Sequence, residues 1–362
     1  MPTNQDERLV FRQLFPGLVR LDCHGELRPA LATSWQSDTT ARTWTFVLRD
    51  GARFPDGTIL TARSIEADWI RRDGALREAG LDSVRAIDDR TLRVTMKDVR
   101  DSLPRAFADP LWSVVSSSMA TRLSGGRLTV PLGPGRSLEM TTAGNKDLRD
   151  ALDAGADLVV SGDPQVIDYV VRTHELNNFL LPWNRTYVLL EHWGTQGLTA
   201  PLDSALQLSL ARDVVQTDAR PSSNRQWWNS SPCSVEISMQ VTTPTGSRIV
   251  YQQADPIARQ LAERLVAVAD DRSPLSALAM DPLRFGAELE QGSDRGYIVA
   301  LPLHSVSPCR ESAKWTSRGR LYPLVDTRQH AIVRRGAPAL TVDWDGTPRF
   351  LSETDLQQET SR

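Results

Sequence analysis

The chain contains 362 residues, 42 of them basic and 45 acidic, which gives a formal net charge of −3 at pH 7. This near-neutral balance argues against nucleic acid or an anionic membrane as a binding partner, because both attract a strongly basic face. Hydrophobic residues make up 40% of the chain, so it can bury a sizeable core and is expected to form roughly two domains.

In the N-terminal third, the alternation of apolar and polar residues predicts two strands, at 44–48 and 91–96. Thr61 is a candidate N-cap for a helix that places Ile65 and Trp69 on one apolar face. The two strands and the helix indicate a mixed α/β region with antiparallel pairing.

The middle of the chain continues this mixed pattern. Residues 157–161 predict a short buried strand, which leads into a helix capped by Asp163 with Pro164 at its first position. Residues 185–190 predict another strand, and 194–201 are interpreted as a segment that crosses between two lobes.

The C-terminal half has the pattern of β-α units with a core of their own. Apolar residues recur every four positions within 202–214, which predicts an amphipathic helix. The alternation at 235–241 predicts a strand, and Asp255 is expected to cap the helix that follows it. The apolar run at 297–303 predicts a buried strand.

Motifs that carry catalysis or hold metals are missing from the sequence. Three cysteines occur far apart, at Cys23, Cys233 and Cys309, and form no CxxC pair. A disulfide framework or a zinc site is therefore not predicted, the alternative being one bridge and a free thiol. The five histidines are scattered, and no Walker loop, HExxH or GxSxG occurs. We expect no metal, no cofactor and no enzyme activity.

Residues 28–63 read RPALATSWQSDTTARTWTFVLRDGARFPDGTILTAR. In its Pro-Ala-Leu-Ala, Ser-Trp, Trp-Thr-Phe, Leu-Arg and Asp-Gly elements, this segment resembles the family 5 extracellular solute-binding proteins of ABC importers, the oligopeptide-, dipeptide- and nickel-binding type. The stretches at 201–213 and 255–268 are similar to helices of that family's second lobe. By this resemblance the chain is a short member, because the piece between Leu103 and Gly133 is too small for the domain that most members insert.

The resemblance implies an α/β fold of the periplasmic-binding-protein-like type II class, with two lobes and mixed sheets. A ligand would be captured between the lobes by hinge closure, and the permease subunits of an ABC transporter would recognise the closed form. The expected ligand is a small molecule, peptide-like or another organic solute. No nucleic acid is expected as a partner, and the membrane would be reached only through the permease or a missing lipid anchor.

The predicted lobes follow from the two crossings of the chain. Residues 1–189 form the N-terminal part of the first lobe, and 190–296 form the second lobe as one continuous insertion. Residues 297–362 then return to the first lobe.

Location is predicted from the resemblance and from the start of the chain. The resemblance implies a periplasmic or extracytoplasmic protein, whereas the polar start MPTNQDE lacks the features of a signal peptide. No run approaches the ~20 apolar residues of a membrane-spanning helix. The alternative is a cytoplasmic ligand-sensing domain of the same fold, and a third interpretation is an enzyme built on it.

Aromatic residues are the leading candidates for ligand contact. Trp227 and Trp228 lie in a polar connector and predict an exposed aromatic platform, the alternative being a loop anchor on the lobe surface. Trp183, Arg185 and Tyr187 lie on the predicted crossing. Arg185 would meet a ligand carboxylate there, or would instead form a structural ion pair.

The resemblance places an N-terminal segment with Phe15, Gly17 and Leu18 on the facing wall of the first lobe. Aromatic faces with one arginine favour a ligand that has an apolar body and an anionic or polar end. Bare metal ions are disfavoured by the same composition.

Overall fold

The structure is a computed structural model with two compact units, which are described separately. The first unit consists of Met1–Asp147 and Pro338–Arg362, and the second of Leu148–Ala337. Each helix that the structure describes is too short or too polar to span a bilayer. The described residues are 11–13, 15–22, 24–54, 57–78, 80–97, 104–115, 127–133, 136–141, 147–192, 204–214, 218–222, 226–229, 248–268, 275–291, 295–306 and 308–350.

Ten strands and two α-helices of the first unit have both ends within the described residues. They are β1 Val19–Leu21, β2 Leu27–Pro29, β3 Ala32–Ser37, β4 Thr43–Leu48, α1 Ala62–Arg71, α2 Asp73–Glu78, β5 Leu81–Ala86, β6 Thr91–Met96, β7 Arg127–Gly133, β8 Arg136–Thr141, β18 Leu340–Val342 and β19 Pro348–Phe350.

Nine strands and six α-helices of the second unit have both ends within the described residues. They are α3 Leu148–Asp153, β9 Leu158–Ser161, α4 Pro164–Val171, β10 Leu176–Leu180, β11 Arg185–His192, α5 Ser204–Asp213, β12 Asp218–Pro221, β13 Arg248–Gln252, α6 Pro256–Val268, β14 Ser276–Met280, α7 Pro282–Gln291, β15 Arg295–Pro302, α8 Pro308–Thr316, β16 Gly319–Arg328 and β17 His330–Arg334.

A four-stranded antiparallel sheet in the order β3-β4-β6-β5 forms the centre of the first unit. Its two inner strands are those predicted at 44–48 and 91–96. The core beside this sheet contains Phe46, Trp69 and Phe107. Phe107 meets Phe46 edge-on with ring centroids 5.3 Å apart. Three two-stranded sheets, β1-β2, β7-β8 and β18-β19, complete the described strands.

Helix α1 begins after Thr61, as predicted. Thr61 Oγ1 accepts a hydrogen bond from the Ser64 N–H at 3.2 Å, and Ser64 Oγ accepts one from the Thr61 N–H at 3.0 Å. This reciprocal capping satisfies two backbone donors that the helix itself cannot pair. Ile65 and Trp69 are fully buried, so the predicted apolar face of the helix is confirmed.

Asp68 joins α1 to a later segment of the first unit. Its carboxylate is 2% exposed and lies 2.6 Å from Arg71 Nη2 and 2.5 Å from Arg72 Nη2. It also accepts a hydrogen bond from the Val115 N–H at 3.1 Å, and Arg72 donates to the Ser113 carbonyl at 2.7 Å. The buried carboxylate therefore holds the segment around Val115 against the helix.

We expect Asp68→Asn to destabilise the protein by about 3 kcal/mol, because the change leaves a buried arginine without its counter-ion. Thermal unfolding measures the effect. Asp73→Asn is the matched control, since the Asp73–Arg77 pair on α2 is exposed and its loss should change stability by less than ~0.5 kcal/mol. Equal midpoints for the two variants would contradict the role given to Asp68.

The C-terminal segment of the first unit is bonded to its N-terminal residues. Arg12 Nη1 lies 2.6 Å from Asp345 Oδ1 and 3.5 Å from Asp343 Oδ2. The Gln13 side chain donates to the Phe350 carbonyl at 3.2 Å and accepts from the Phe350 N–H at 2.9 Å. These bonds hold the β18-β19 hairpin beside the start of the described chain.

The second unit is built on a six-stranded mixed sheet in the order β12-β16-β11-β15-β13-β14. The first four strands pair antiparallel, whereas β13 is parallel to both β15 and β14. Helix α6 connects β13 to β14, and α7 connects β14 to β15. The predicted helices at 202–214 and after Asp255 are α5 and α6.

Side chains of strand β11 alternate between two cores. Tyr187 and Leu189 face a core that includes residues of α5 and α6, whereas Val188 and Leu190 face a core that includes residues of α7 and the Trp228 ring. A strand that is buried on both faces has a continuous apolar sequence. This explains the apolar pattern of β11, as predicted at 185–190.

A separate three-stranded antiparallel sheet in the order β10-β17-β9 packs against α3 and α4. Helix α4 begins after Asp163, as predicted, and Asp163 Oδ1 accepts a hydrogen bond from the Gln165 N–H at 2.8 Å. The strand predicted at 157–161 is β9.

The two compact units divide the chain at 147/148 and 337/338, whereas the sequence-based lobe boundaries are 189/190 and 296/297. Both predicted boundaries fall inside strands, β11 and β15, that pair with each other over seven residues. Continuous hydrogen bonding keeps the two strands in one sheet. The assignment of the units to two lobes stays a prediction.

Several predicted features lie outside the described residues. These are the crossing at 194–201, the strand at 235–241 and the side chains of the three cysteines. The described structure therefore does not test the prediction that the cysteines carry no chemistry.

Gly319 allows β16 to approach β11 closely, because a Cβ there would lie 2.0 Å from the Glu191 carbonyl oxygen. We expect Gly319→Ala to lower the free energy of unfolding by about 1–3 kcal/mol, which is the usual cost of overpacking. Gly286→Ala on α7 is the control. A Cβ at Gly286 meets nothing within 4 Å, so this change should stabilise the helix by ~0.5–1 kcal/mol. Chemical denaturation distinguishes the two, and a stable Gly319→Ala variant would refute the expected steric conflict.

Candidate functional site

Predicted site residues of the second unit meet at one end of the six-stranded sheet. Arg185 is the first residue of β11, where it lies opposite Pro302 on β15 and Thr327 on β16. Trp227 donates its indole N–H to the Pro302 carbonyl at 2.8 Å. The structure thus brings Trp227 to the beginning of β11, which directly follows Trp183 and the connecting Asn184.

Trp227 and Trp228 occupy different environments. Their rings are in edge-to-face contact, with centroids 5.1 Å apart, but Trp228 is fully buried in the core beside β11 and α7. The Trp228 carbonyl accepts a hydrogen bond from Ser312 Oγ on α8 at 3.1 Å. The prediction of an exposed aromatic pair is therefore wrong for Trp228, because its apolar ring is more stable in the core. Trp227 is half-buried.

Tyr187 is buried and supports helix α6. Its hydroxyl lies 3.1 Å from Asp255 Oδ1 and 3.0 Å from Oδ2, and Asp255 Oδ1 accepts from the N–H groups of Ile257 and Ala258 at the helix start. Burial raises the pKa of Tyr187 and the Asp255 carboxylate adds to the rise, whereas the nearby Arg185 opposes it. Tyr187 thus stays neutral and positions the residue that caps α6.

Trp183 lies against two arginines that the sequence analysis did not select. The guanidinium carbons of Arg220 and Arg328 are 4.4 Å and 4.7 Å from the Trp183 ring centroid. Arg220 Nε lies 3.2 Å from Asp326 Oδ2, and Arg328 Nε lies 2.8 Å from Asp218 Oδ2. Cation–π contact and ion pairing together fix both guanidinium groups around the ring.

The two ion pairs follow from strand register. In the antiparallel pairing of β12 with β16, Asp218 lies opposite Arg328 and Arg220 lies opposite Asp326. Each strand carries the triplet Asp-x-Arg, at 218–220 and 326–328. Two such triplets in antiparallel register place opposite charges across from each other on one face. This repeated triplet is the sequence signal that could have identified the cluster.

Asp326 is the buried centre of the cluster. Its side chain is 1% exposed, and Oδ1 accepts hydrogen bonds from Thr186 Oγ1 at 2.8 Å and from Ser222 Oγ at 2.9 Å. Gln226 Nε2 donates to Ser222 Oγ at 2.7 Å. With Arg220, these donors satisfy a buried carboxylate and fix its orientation.

Two further titratable residues, Glu191 and His192, lie at the other end of β11. Glu191 is 4% exposed, and Tyr322 donates its hydroxyl to Glu191 Oε2 at 3.2 Å. Burial raises the pKa of Glu191, while Tyr322 and Arg320 oppose the rise. The His192 ring meets Tyr297 edge-on, with centroids 5.3 Å apart, and burial lowers the pKa of His192.

We expect Glu191→Gln to raise the melting temperature by roughly 2 °C at pH 7 to 8, relative to the native sequence. A raised carboxyl pKa means that the folded state binds the proton more tightly than the unfolded state does. Ionisation of Glu191 therefore destabilises the fold at high pH, and this effect disappears as the pH falls towards the ordinary pKa of 4.5.

Thermal scans between pH 4 and pH 8 measure this difference. Glu175→Gln is the control, because the Glu175 side chain is 78% exposed beside Arg334 and should give no comparable pH-dependent gain. A difference between Glu191→Gln and the native protein that stays constant with pH would contradict the assignment.

The predicted residues of the first unit are mainly core residues. Phe15 and Leu18 are 1% and 0% exposed, and the Phe15 ring packs against Phe11 with centroids 5.2 Å apart. A Cβ at Gly17 would lie 2.9 Å from the Phe107 carbonyl oxygen, so glycine allows a close backbone approach there. Their part in ligand binding stays a prediction.

No group of three His, Cys, Asp or Glu side chains in the described part of the chain is arranged to hold a metal ion.

The sequence has relatives of known function. Residues 26–147 match the family described as Bacterial extracellular solute-binding proteins, family 5 Middle. The periplasmic murein peptide-binding protein MppA of Escherichia coli is 47% identical over 62 residues, which are 17% of this chain and 11% of that protein. The periplasmic oligopeptide-binding protein OppA of Escherichia coli is 33% identical over 118 residues, 25% of this chain and 21% of that protein. Each match thus spans less than two thirds of the relative's length.

Solved structures extend the likeness to most of the chain. NikA from Staphylococcus aureus, in complex with Ni(L-His)2, superposes with a TM-score of 0.68 at 12% identity, covering 96% of this chain and 95% of that chain. The chain therefore has the fold of this NikA structure, and the predicted α/β fold with mixed sheets is confirmed. The resemblance predicted from residues 28–63 is confirmed: residues 26–147 match the family 5 model, and the fold of NikA extends over 96% of the chain.

Proposed function

We propose that this chain is the solute-binding component of an ABC importer and captures a small organic ligand for the permease subunits. The single observation that carries the proposal is the family 5 match over residues 26–147. The fold supports it, because the superposition with NikA extends over nearly the whole chain. Hinge closure would couple capture to delivery, since only differential affinity for the closed form drives such a change.

The proposed ligand is a peptide-like molecule or another organic solute. MppA and OppA are peptide-binding proteins by name, and NikA holds a nickel–histidine complex in its structure. We propose that the half-buried Trp183, Arg185 and Trp227 contact the ligand. The buried Tyr187 and Trp228 would position them, through α6 and through the core beside β11.

The proposed place of action is extracytoplasmic, in agreement with the periplasmic location in the names of MppA and OppA. Both relatives are binding proteins, and we propose that this chain also binds its ligand without chemical conversion. The permease would be its macromolecular partner.

A thermal-shift screen tests the function. The panel consists of dipeptides, tripeptides, nickel–histidine complexes, sugars, amines and small organic acids. A bound ligand at 100 times its dissociation constant should stabilise the protein by about 2.7 kcal/mol and raise its melting temperature. A panel without any stabilising member, or a stabilising member that is chemically converted, would contradict the proposal.

The same ligand tests the contact residues. Trp227→Ala should weaken its binding by about thirtyfold, the effect of removing a well-packed tryptophan worth about 2 kcal/mol. Trp35→Ala is the matched control, because Trp35 is also a partly buried tryptophan and packs in the first unit. Calorimetric titration measures both affinities, and an unchanged affinity in Trp227→Ala would remove Trp227 from the site.

A further inference from the structure

We propose that Arg220 binds a carboxylate group of the ligand, so that the captured solutes are organic acids, including peptides with a free carboxyl terminus. The inference rests on the solute-binding function proposed above and narrows its ligand class. It also assigns the carboxylate contact to Arg220 instead of Arg185.

The guanidinium of Arg220 is held in place by two independent contacts. Its Nε lies 3.2 Å from the Asp326 carboxylate, and its central carbon lies 4.4 Å from the Trp183 ring centroid. Asp326 is itself fixed by Thr186 and Ser222. A guanidinium held in this way loses little conformational entropy when a ligand binds to it.

The two terminal nitrogens of Arg220, Nη1 and Nη2, are the groups that would bind the ligand carboxylate. Within the described residues, its hydrogen bonding to Asp326 involves Nε, and its side chain is 46% exposed. The Nη1 and Nη2 edge of such a guanidinium matches the two oxygens of a carboxylate and binds them with two parallel hydrogen bonds. An ammonium group lacks this fork, so a lysine at this position would bind a carboxylate more weakly than arginine does.

Neighbouring groups favour an anion with an apolar body. The Arg328 guanidinium is a second positively charged group beside the Trp183 ring, with its central carbon 4.7 Å from the ring centroid. The acidic groups of the cluster, Asp326 and Asp218, are each engaged by an arginine, which limits repulsion of an incoming carboxylate. The half-buried Trp183 offers apolar surface beside the anion.

Titration with benzoate and with benzamide tests the proposal on the full chain. The two probes share one aromatic ring and differ in the carboxylate charge. Nitrogen-15 NMR of the arginine Nε–Hε resonances reports binding even at millimolar affinity. We expect saturable shifts with benzoate, a much smaller response to benzamide, and loss of the responding Arg220 resonance in Arg220→Lys.

Variants then separate recognition from stability. Arg220→Lys keeps the charge and should weaken benzoate binding about tenfold, and Arg220→Gln should abolish it. Arg259→Lys on α6 is the matched control, because Arg259 is 53% exposed, is paired with Glu263 and should leave the affinity unchanged. Circular dichroism of each variant verifies folding.

Two results would overturn the proposal: no saturable binding of benzoate to the native protein, or an affinity that changes less than threefold in a folded Arg220→Lys variant. Both are independent of the ligand screen above. Benzoate binding can fail while the screen still finds an uncharged ligand, in which case the solute-binding function stands and only its narrowing to carboxylates is lost.

Discussion

Burial of β11 on both faces is the constraint on which the second unit depends. The strand pairs with β15 on one side and β16 on the other, and its residues from Thr186 to His192 are all buried. A polar side chain on such a strand must find a partner inside the protein, because an unpaired buried group is costly. These partners come from neighbouring elements: Asp326 for Thr186, Asp255 for Tyr187 and Tyr322 for Glu191.

The polar groups that satisfy β11 also organise the surface at its beginning. Asp326 accepts the Thr186 hydroxyl and at the same time orients Arg220. Arg220 then contacts Trp183, which lies two residues before the strand. The buried Asp326 carboxylate thus connects the interior of the sheet with its exposed edge. The contacts that satisfy the buried Thr186 hydroxyl therefore also position Arg220 in the candidate site.

Local patterns allowed much of the fold to be predicted. The inner strands of the first sheet were visible in their alternation, and the caps Thr61, Asp163 and Asp255 marked three helix starts because capping involves only neighbouring residues. The resemblance to the family 5 proteins could be seen in residues 28–63, where several matching elements follow one another in order. These features require no knowledge of distant contacts.

Distant contacts explain what the sequence analysis did not find. Arg220 and Arg328 are bonded to aspartates 106 and 110 positions away, and only the pairing of β12 with β16 joins them. Trp227 and Trp228 are adjacent in a polar segment, so their different burial depends on the strands and helices around them. The predicted lobe boundaries at 189/190 and 296/297 fall inside β11 and β15, and the pairing that joins these two strands connects distant parts of the sequence.

The return of the chain to its first unit has a consequence for the order of folding. Arg12 and Gln13 are bonded to residues 331 to 337 positions away, and closing so long a loop is entropically unfavourable and slow. Within the second unit, β9 near its beginning pairs with β17 near its end. Once that sheet has formed, the chain leaves the second unit close to where it entered. The folded second unit then holds the two segments of the first unit close together along the chain. The entropic cost of bringing these segments into contact is correspondingly smaller.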